Sequence, residues 1–361
     1  MSDNLRQYRA IRHALTQWYP CQLTGRMARH MNTLAALISG IVASRSTQLP
    51  RIASKVPCGA KPESRVKRFA RWLDNDHVSE TLYFLPYAEG LLACLALEQL
   101  VLVIDGSTVG RGCVALMLHV VYKGRALPLA WLVQRGKKGH FPEAMHVALV
   151  KHVQGLIPAG AQVVLLGDGE FDGITLQKTL NDAGWAYVCR TATSSTVSWQ
   201  SNRFRLAVVG SCIKPGHLVE LKEVLFTAEA YGPITVICCW ATGEKAPLYL
   251  ITNLACAEEA CRLYEKRFRI ETFFSDLKSR GFEVAKSHLA APSRLSRLLI
   301  AACLAYIWII SVASQCEREG WVDVIHRGHR CDLSLFQLGL RFLNYILNEH
   351  LPIPVAFRVE T

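Results

Sequence analysis

The chain has 361 residues, 51% apolar and 19% charged, and its 41 Lys and Arg outweigh 29 Asp and Glu to give a net charge of +12. That length supports about two or three domains around a large buried core, and the composition excludes a disordered or collagen-like chain. A basic excess of this size points to a polyanionic partner, nucleic acid or an anionic membrane surface.

The excess is concentrated. Residues 1–78 hold 13 basic and four acidic side chains, a net +9, and residues 262–297 hold nine and four, a net +5. The segments 79–261 and 298–361 each come to −1. General solubility does not predict two separate basic blocks. The 13 cysteines are scattered, with no CxxC pair and no Cys/His zinc spacing. An odd count, several thiols inside apolar runs and no signal peptide at the start fit a reducing cytoplasm.

In chain order, residues 5–97 read as helical, with breaks at Pro20, near Pro50, at Pro57–Gly59 and near Asp74–Asp76. Pro62 opens the segment PESRVKRFARWLDN as a first-turn proline, with Glu63 beside it. Val66, Phe69, Ala70 and Leu73 form its apolar stripe, and Arg65, Lys67, Arg68 and Arg71 cover much of the rest. A solvated amphipathic helix shows the same pattern. Inside a +9 block the segment reads as a DNA-contacting helix.

Near residue 100 the pattern becomes β-like. Val101 to Asp105, Cys113 to Tyr122, Ala126 to Gln134, Gln162 to Gly167 and Trp185 to Arg190 read as strands. Glu143 to Leu156 and Thr175 to Ala183 read as helices. The order β-β-β-α-β-α-β predicts a mixed α/β sheet with an antiparallel part and right-handed crossovers. Residues 191–256 read as a β-rich insertion, with strands at Phe204–Val209, Leu218–Phe226, Thr235–Trp240 and Leu248–Thr252. A helix follows, from Ala257 to Arg280. The 16 uncharged residues from Leu298 to Ala313 are shorter than the roughly 20 that a bilayer span needs, and read as a buried core helix.

Asp105 and Asp168 each close an apolar strand, where acids are rare unless they are paired or bind metal. If the two strands are neighbours, the acids converge at one end of the sheet. On the late helix, at about 100° per residue from Glu271, Tyr264, Arg267 and Lys278 fall at about +20°, −40° and −20°. Leu263, Ile270, Phe274 and Leu277 form an adjacent apolar stripe. An ordinary i, i+4 pair of Arg267 with Glu271 fits the same spacing.

The spacing Tyr264-x2-Arg267-x3-Glu271-x6-Lys278 resembles the Y-R-E-K signature of IS4-family DDE transposases. Asp105 in VLVIDGST and Asp168 in LLGDGEFDG resemble that family's first two catalytic aspartates, and LYLITN resembles the strand before its signature helix. Phe268 stands where Trp is common, and Gly169 where Arg is common. The resemblance covers roughly residues 60–310 and implies an RNase H-like core with a β-rich insertion before the Glu. It divides the chain into a helical DNA-binding domain at 1–98, core at 99–190, insertion at 191–256, core with the signature helix at 257–315 and a C-terminal helical segment at 316–361.

The resemblance further implies a cut-and-paste DNA transposase in the bacterial cytoplasm, associated with the nucleoid. It would act as a homodimer on transposon terminal inverted repeats and target DNA. Asp105, Asp168 and Glu271 would hold two Mg²⁺ ions, with Mn²⁺ as a substitute. Paired cations suit in-line phosphodiester chemistry, and hard cations prefer oxygen ligands. Arg267 and Lys278 would hold phosphates and Tyr264 a hydrogen bond. A hairpin intermediate is implied, with Trp199 or Trp240 as a wedge for an unstacked base. Lys137 and Lys138 of the RGKKGHF loop are candidate phosphate contacts. The alternatives are a domesticated DNA-binding regulator and an RNase H-like nuclease without strand transfer.

Overall fold

The computed structural model describes residues 2–19, 22–96, 99–137, 139, 141–327, 332–354 and 357. Six helices come first: α1 (Asp3–Thr16), α2 (Gly25–Ser44), α3 (Leu49–Lys55), α4 (Pro62–Asp74), α5 (Glu80–Tyr83) and α6 (Leu85–Leu95). Prolines in the first turns of α3, α4 and α6 occupy positions that need no intrahelical donor. In α4 the buried side is Phe69, Trp72 and Leu73, which leaves Lys67 and Arg71 in solvent.

Next come β1 (Leu100–Gly110), β2 (Cys113–Tyr122), β3 (Arg125–Arg135), α7 (Glu143–Gln154), β4 (Val163–Gly167), α8 (Ile174–Asp182) and β5 (Ala186–Arg190). The β2–β3 link is two residues, Lys123 and Gly124, both at positive φ, the hairpin turn whose twist matches its strands. Strand order β3-β2-β1-β4-β5, antiparallel across β3, β2 and β1 and parallel from β1 through β4 to β5, is the RNase H-like arrangement expected. Nearly every residue of β1 and β2 is buried, so both faces of the sheet are covered.

The remaining elements are β6 (Thr196–Trp199), β7 (Asn202–Arg205), α9 (Leu206–Cys212), β8 (His217–Phe226), β9 (Tyr231–Trp240), β10 (Leu248–Thr252), α10 (Ala257–Glu265), α11 (Arg269–Leu277), α12 (Pro292–Arg318), α13 (Val322–Ile325) and α14 (Leu335–Asn348). The strands between β5 and α10 extend the core sheet. β10 pairs antiparallel with β5, and the full order is β3-β2-β1-β4-β5-β10-β9-β8-β6-β7.

Three sequence expectations change. The strand expected over Phe204–Val209 is the end of β7 followed by α9. Gly210 allows α9 to lie on the Tyr249 hydroxyl, where any Cβ would overlap it, so packing overrides the β preference of the valines. β1 does not stop at Asp105 but runs on to Gly110, because β2 pairs with it that far while β4 pairs only up to Val103. The single helix expected over Ala257–Arg280 is broken by a 3₁₀ turn at Lys266–Phe268.

α12 is long and apolar enough to cross a membrane, yet 89% of its most apolar window lies inside the protein, against α2, α14 and β3. One continuous core runs from the N-terminal helices through the sheet to α14. Arg294 and Arg297 of α12 bind Asp74 and Asp76 at the end of α4. Lys67 and Arg71 are thereby on a rigid mount.

His119 of β2 is fully buried against Phe273 and Phe274, and neither ring nitrogen has a hydrogen-bond partner. Burial lowers its pKa from 6.5 to about 3. Because the folded pKa is depressed, the unfolded chain takes up the proton first, and stability falls as pH drops below about 6.5. The loss is about 1.4 kcal/mol per pH unit. Urea unfolding should show wild-type stability falling by about 2 kcal/mol relative to His119→Leu between pH 7 and pH 5. A pH-independent difference would mean that the His119 ring titrates alike in the folded and the unfolded chain, as a solvated ring does.

Candidate active site

The parallel register of β1 and β4 pairs Leu102 with Leu165 and Val103 with Leu166. Asp105 and Asp168 each lie two residues past the last pair of that ladder, and both line one cleft. The β4–β5 register ends at Gly167 and Cys189, one residue before Asp168 and Arg190, which line a cleft together. Asp105 is buried and its Oδ1 accepts the Gly106 amide at 2.6 Å. Asp168 Oδ1 accepts the Glu170 amide at 2.9 Å.

α11 supplies the third acid. Glu271 is on its first turn, with a side chain 55% exposed, while Ile270, Phe273, Phe274 and Leu277 bury the opposite side. Asp105, Asp168, Arg267, Glu271 and Lys278 line one cleft of about 410 Å³, with the hydroxyls of Ser107, Ser275 and Ser279. Arg267 donates to Glu271 Oε1 at 2.7 Å and lies 3.9 Å from Asp105 Oδ2. Lys278 ends α11 and donates to Ser107 Oγ at 2.6 Å.

Tyr264 is not in this cleft. It is buried and lines a neighbouring cavity of about 460 Å³ with Trp240, Leu250, Cys261 and the exposed ring of Phe268. A 3₁₀ turn at Lys266–Phe268 separates α10, which carries Tyr264, from α11, which carries Glu271, so the two residues do not share one straight helix face. Burial also pushes the Tyr264 phenol up to about 12, against the pull of Arg267 and Arg190.

The cleft's donor set suits a hard divalent cation: three carboxylates on separate elements, with solvent access at Glu271. As they stand, no three His, Cys, Asp or Glu side chains among the described residues are gathered into a metal cage. The Glu271 carboxylate is turned onto Arg267, with its side chain open to solvent.

The other expected contacts divide. Arg65 is half-buried: its guanidinium donates to the carbonyls of Ala53, Val56, Cys58 and Ala60 and caps the α3–α4 connection. Arg68 packs over Phe69 and is half-buried. Lys67, Arg71 and Lys137 are exposed, and Lys138 lies outside the described residues. Trp199 donates to the Lys222 carbonyl at 3.0 Å and Trp240 to that of Glu244 at 2.9 Å.

Several residues around the cleft were not singled out from sequence. Arg190 is exposed and lines a second cleft of about 400 Å³, which shares Asp168 with the first. Its signal was present as the basic end of a strand in phase with an acidic one. Ser107, two residues after Asp105, had no signal before its contact with Lys278 was seen.

A family model described as a transposase DDE domain matches residues 97–308, more than half of the chain. The protein belongs to the DDE transposase domain family, a family of DNA-cutting and DNA-joining enzymes. Among solved structures, the chain is similar to a piggyBac transposase in a synaptic complex with hairpin DNA, determined by cryo-EM. The identity is 12% and the TM-score 0.49, over 98% of this chain and 83% of that chain. No curated protein matches the chain.

Proposed function

We propose that the protein is a cut-and-paste transposase of the IS4 type that cleaves and joins the ends of a bacterial insertion sequence, working in the cytoplasm at the nucleoid. The observation that carries the reading is the convergence of Asp105, Asp168 and Glu271 on one cleft with Arg267 and Lys278. The three carboxylates would hold Mg²⁺, as a pair of ions and with Mn²⁺ as a substitute, which when bound supplies Lewis-acid activation of the attacking and leaving oxygens. Water opens the first strand, and the 3′-OH released attacks a second phosphodiester. Attack on the opposite strand of the same end gives a hairpin, and attack on target DNA gives joining.

The chain's own residues orient the phosphate. Lys278, steered by Ser107, and Arg267 present cations beside the acids, and Arg190 extends the positive track past Asp168. The cavity lined by Trp240, Tyr264 and Phe268 has the aromatic surfaces that an unstacked base requires. Pairing of two element ends calls for a homodimer. The deciding assay incubates the protein with Mg²⁺, a labelled duplex carrying the terminal inverted repeat that flanks its gene, and target plasmid. Joined products support the transposase. Cleavage without joining gives the hydrolytic nuclease, and binding without cleavage gives the regulator.

In the N-terminal block, Lys67 and Arg71 of α4 are the phosphate contacts, and Arg65 is structural. Lys67→Ala with Arg71→Ala should weaken end binding and lower the slope of log K against log salt by about two. Arg65→Ala should leave that slope unchanged but cost about 1–3 kcal/mol of stability, since it strands carbonyls in a part-buried turn. Filter binding across salt, together with urea unfolding, separates the two effects. A slope lowered by Arg65→Ala alone would return that residue to the DNA surface.

A further inference from the structure

We infer that Glu170 is a positioning residue that ties the Asp105 and Asp168 strand ends together and so fixes the spacing of the two carboxylates. The inference deepens the transposase reading and rests on it.

The side chain of Glu170 does not face the cleft. Its Oε1 accepts the Phe141 amide at 2.6 Å and lies 3.7 Å from Nε2 of the buried His146 on α7. The ring of Phe141 is packed on Gly106, the residue after Asp105, where any Cβ would overlap it. At its other end, the Glu170 amide donates to Asp168 Oδ1 at 2.9 Å. The Phe171 amide closes the same turn on the Asp168 carbonyl, and its ring lies tilted against that of His146, 4.7 Å between centroids. The chain of contacts is therefore continuous: Asp105 and Gly106, Phe141, Glu170, Asp168.

This link spans a gap in the sheet. The β1–β4 ladder ends at Val103 and Leu166, two residues short of each acid, so no backbone pairing holds Asp105 to Asp168. Two carboxylates that share cations repel each other until the cations arrive, and a bridge between their backbones opposes that separation.

The test uses the full-length protein with Glu170→Ala and Glu170→Gln. The amide oxygen of Gln can still accept from Phe141, whereas Ala cannot. For Glu170→Ala the expected result is a 10- to 100-fold fall in kcat for end cleavage, the range seen when residues supporting metal ligands are lost, with KM for the duplex unchanged. Mn²⁺ binding followed by calorimetry on DNA-free protein should weaken by a similar factor. Glu170→Gln should restore most of both. Wild-type cation affinity and kcat in Glu170→Ala would overturn the inference. So would a loss confined to KM or to thermal stability, or a Gln variant as impaired as Ala. If Asp105→Asn retains cleavage, the transposase site itself has failed and the result says nothing of Glu170; if Asp105→Asn is dead and Glu170→Ala is normal, only the positioning role has failed.

Discussion

Asp105→Asn, Asp168→Asn and Glu271→Gln should each abolish cleavage and joining while leaving end binding intact. Each amide keeps the size of the acid, and at Asp105 and Asp168 it keeps an oxygen to accept the Gly106 and Glu170 amides, so the fold is not disturbed. What is lost is the anionic ligand. Cation stabilisation of the transition state is worth several kcal/mol. At about 1.4 kcal/mol per decade, the rate should fall by at least about 10³-fold. Binding should be equal or tighter, because each change removes a negative charge facing DNA phosphates. Gel analysis of labelled ends gives the rate, and mobility shift gives binding. A single variant of the three with near wild-type cleavage would remove that residue from the chemistry.

The largest effect on stability is expected at the buried pair of Arg125 and Asp276. Arg125 opens β3, Asp276 is on α11 one turn beyond Glu271, and they meet at 3.1 Å with both side chains nearly enclosed. Burial pushes the Asp276 carboxyl up to about 6, against the pull of Arg125 and Arg280. Asp276→Ala leaves a buried guanidinium without its counter-charge, a loss of about 3–5 kcal/mol. Replacing both together, Arg125→Met with Asp276→Leu, should recover most of it, because neither charge is then desolvated. The single and double variants compared by urea unfolding give the coupling directly. A double variant as unstable as Asp276→Ala would show that the loss comes from packing and not from an orphaned charge. Since this pair clamps α11 to the sheet beneath Glu271, the single variant should also lose activity below its melting temperature.

The elements of the α/β core were legible because their signals are local. Cys113–Tyr122 and Leu248–Thr252 are apolar runs rich in β-formers between turn residues, and both are strands with the expected ends. Pro62 and Glu63 marked the start of α4 for the same reason. The misreadings came where a distant contact decides. The valines of LAVVGSC favour a strand, but the seat on Tyr249 makes the segment a helix. The four-residue signature was visible as spacing on one expected helix, yet a 3₁₀ turn interrupts that helix and Tyr264 lines the next cavity. Arg65 looked like its basic neighbours on α4 because a sequence shows charge and not the four carbonyls that surround it.

By itself the sequence determined the two basic blocks, the order of Asp105, Asp168 and Glu271 along the chain and most of the strands and helices that carry them, all of which follow from composition and short-range periodicity. Grouping the three acids as one site came from the resemblance of Tyr264, Arg267, Glu271 and Lys278 to a family signature. Only the tertiary structure decided that Asp105 and Asp168 line one cleft, that the strands after β5 continue the core sheet, that Arg190 shares a second cleft with Asp168, and that Glu170 bridges the gap where the ladder ends. Those relations depend on the register between strands and on side chains far apart in the chain, and a register is set by which faces bury together, a quantity that no stretch of sequence contains alone.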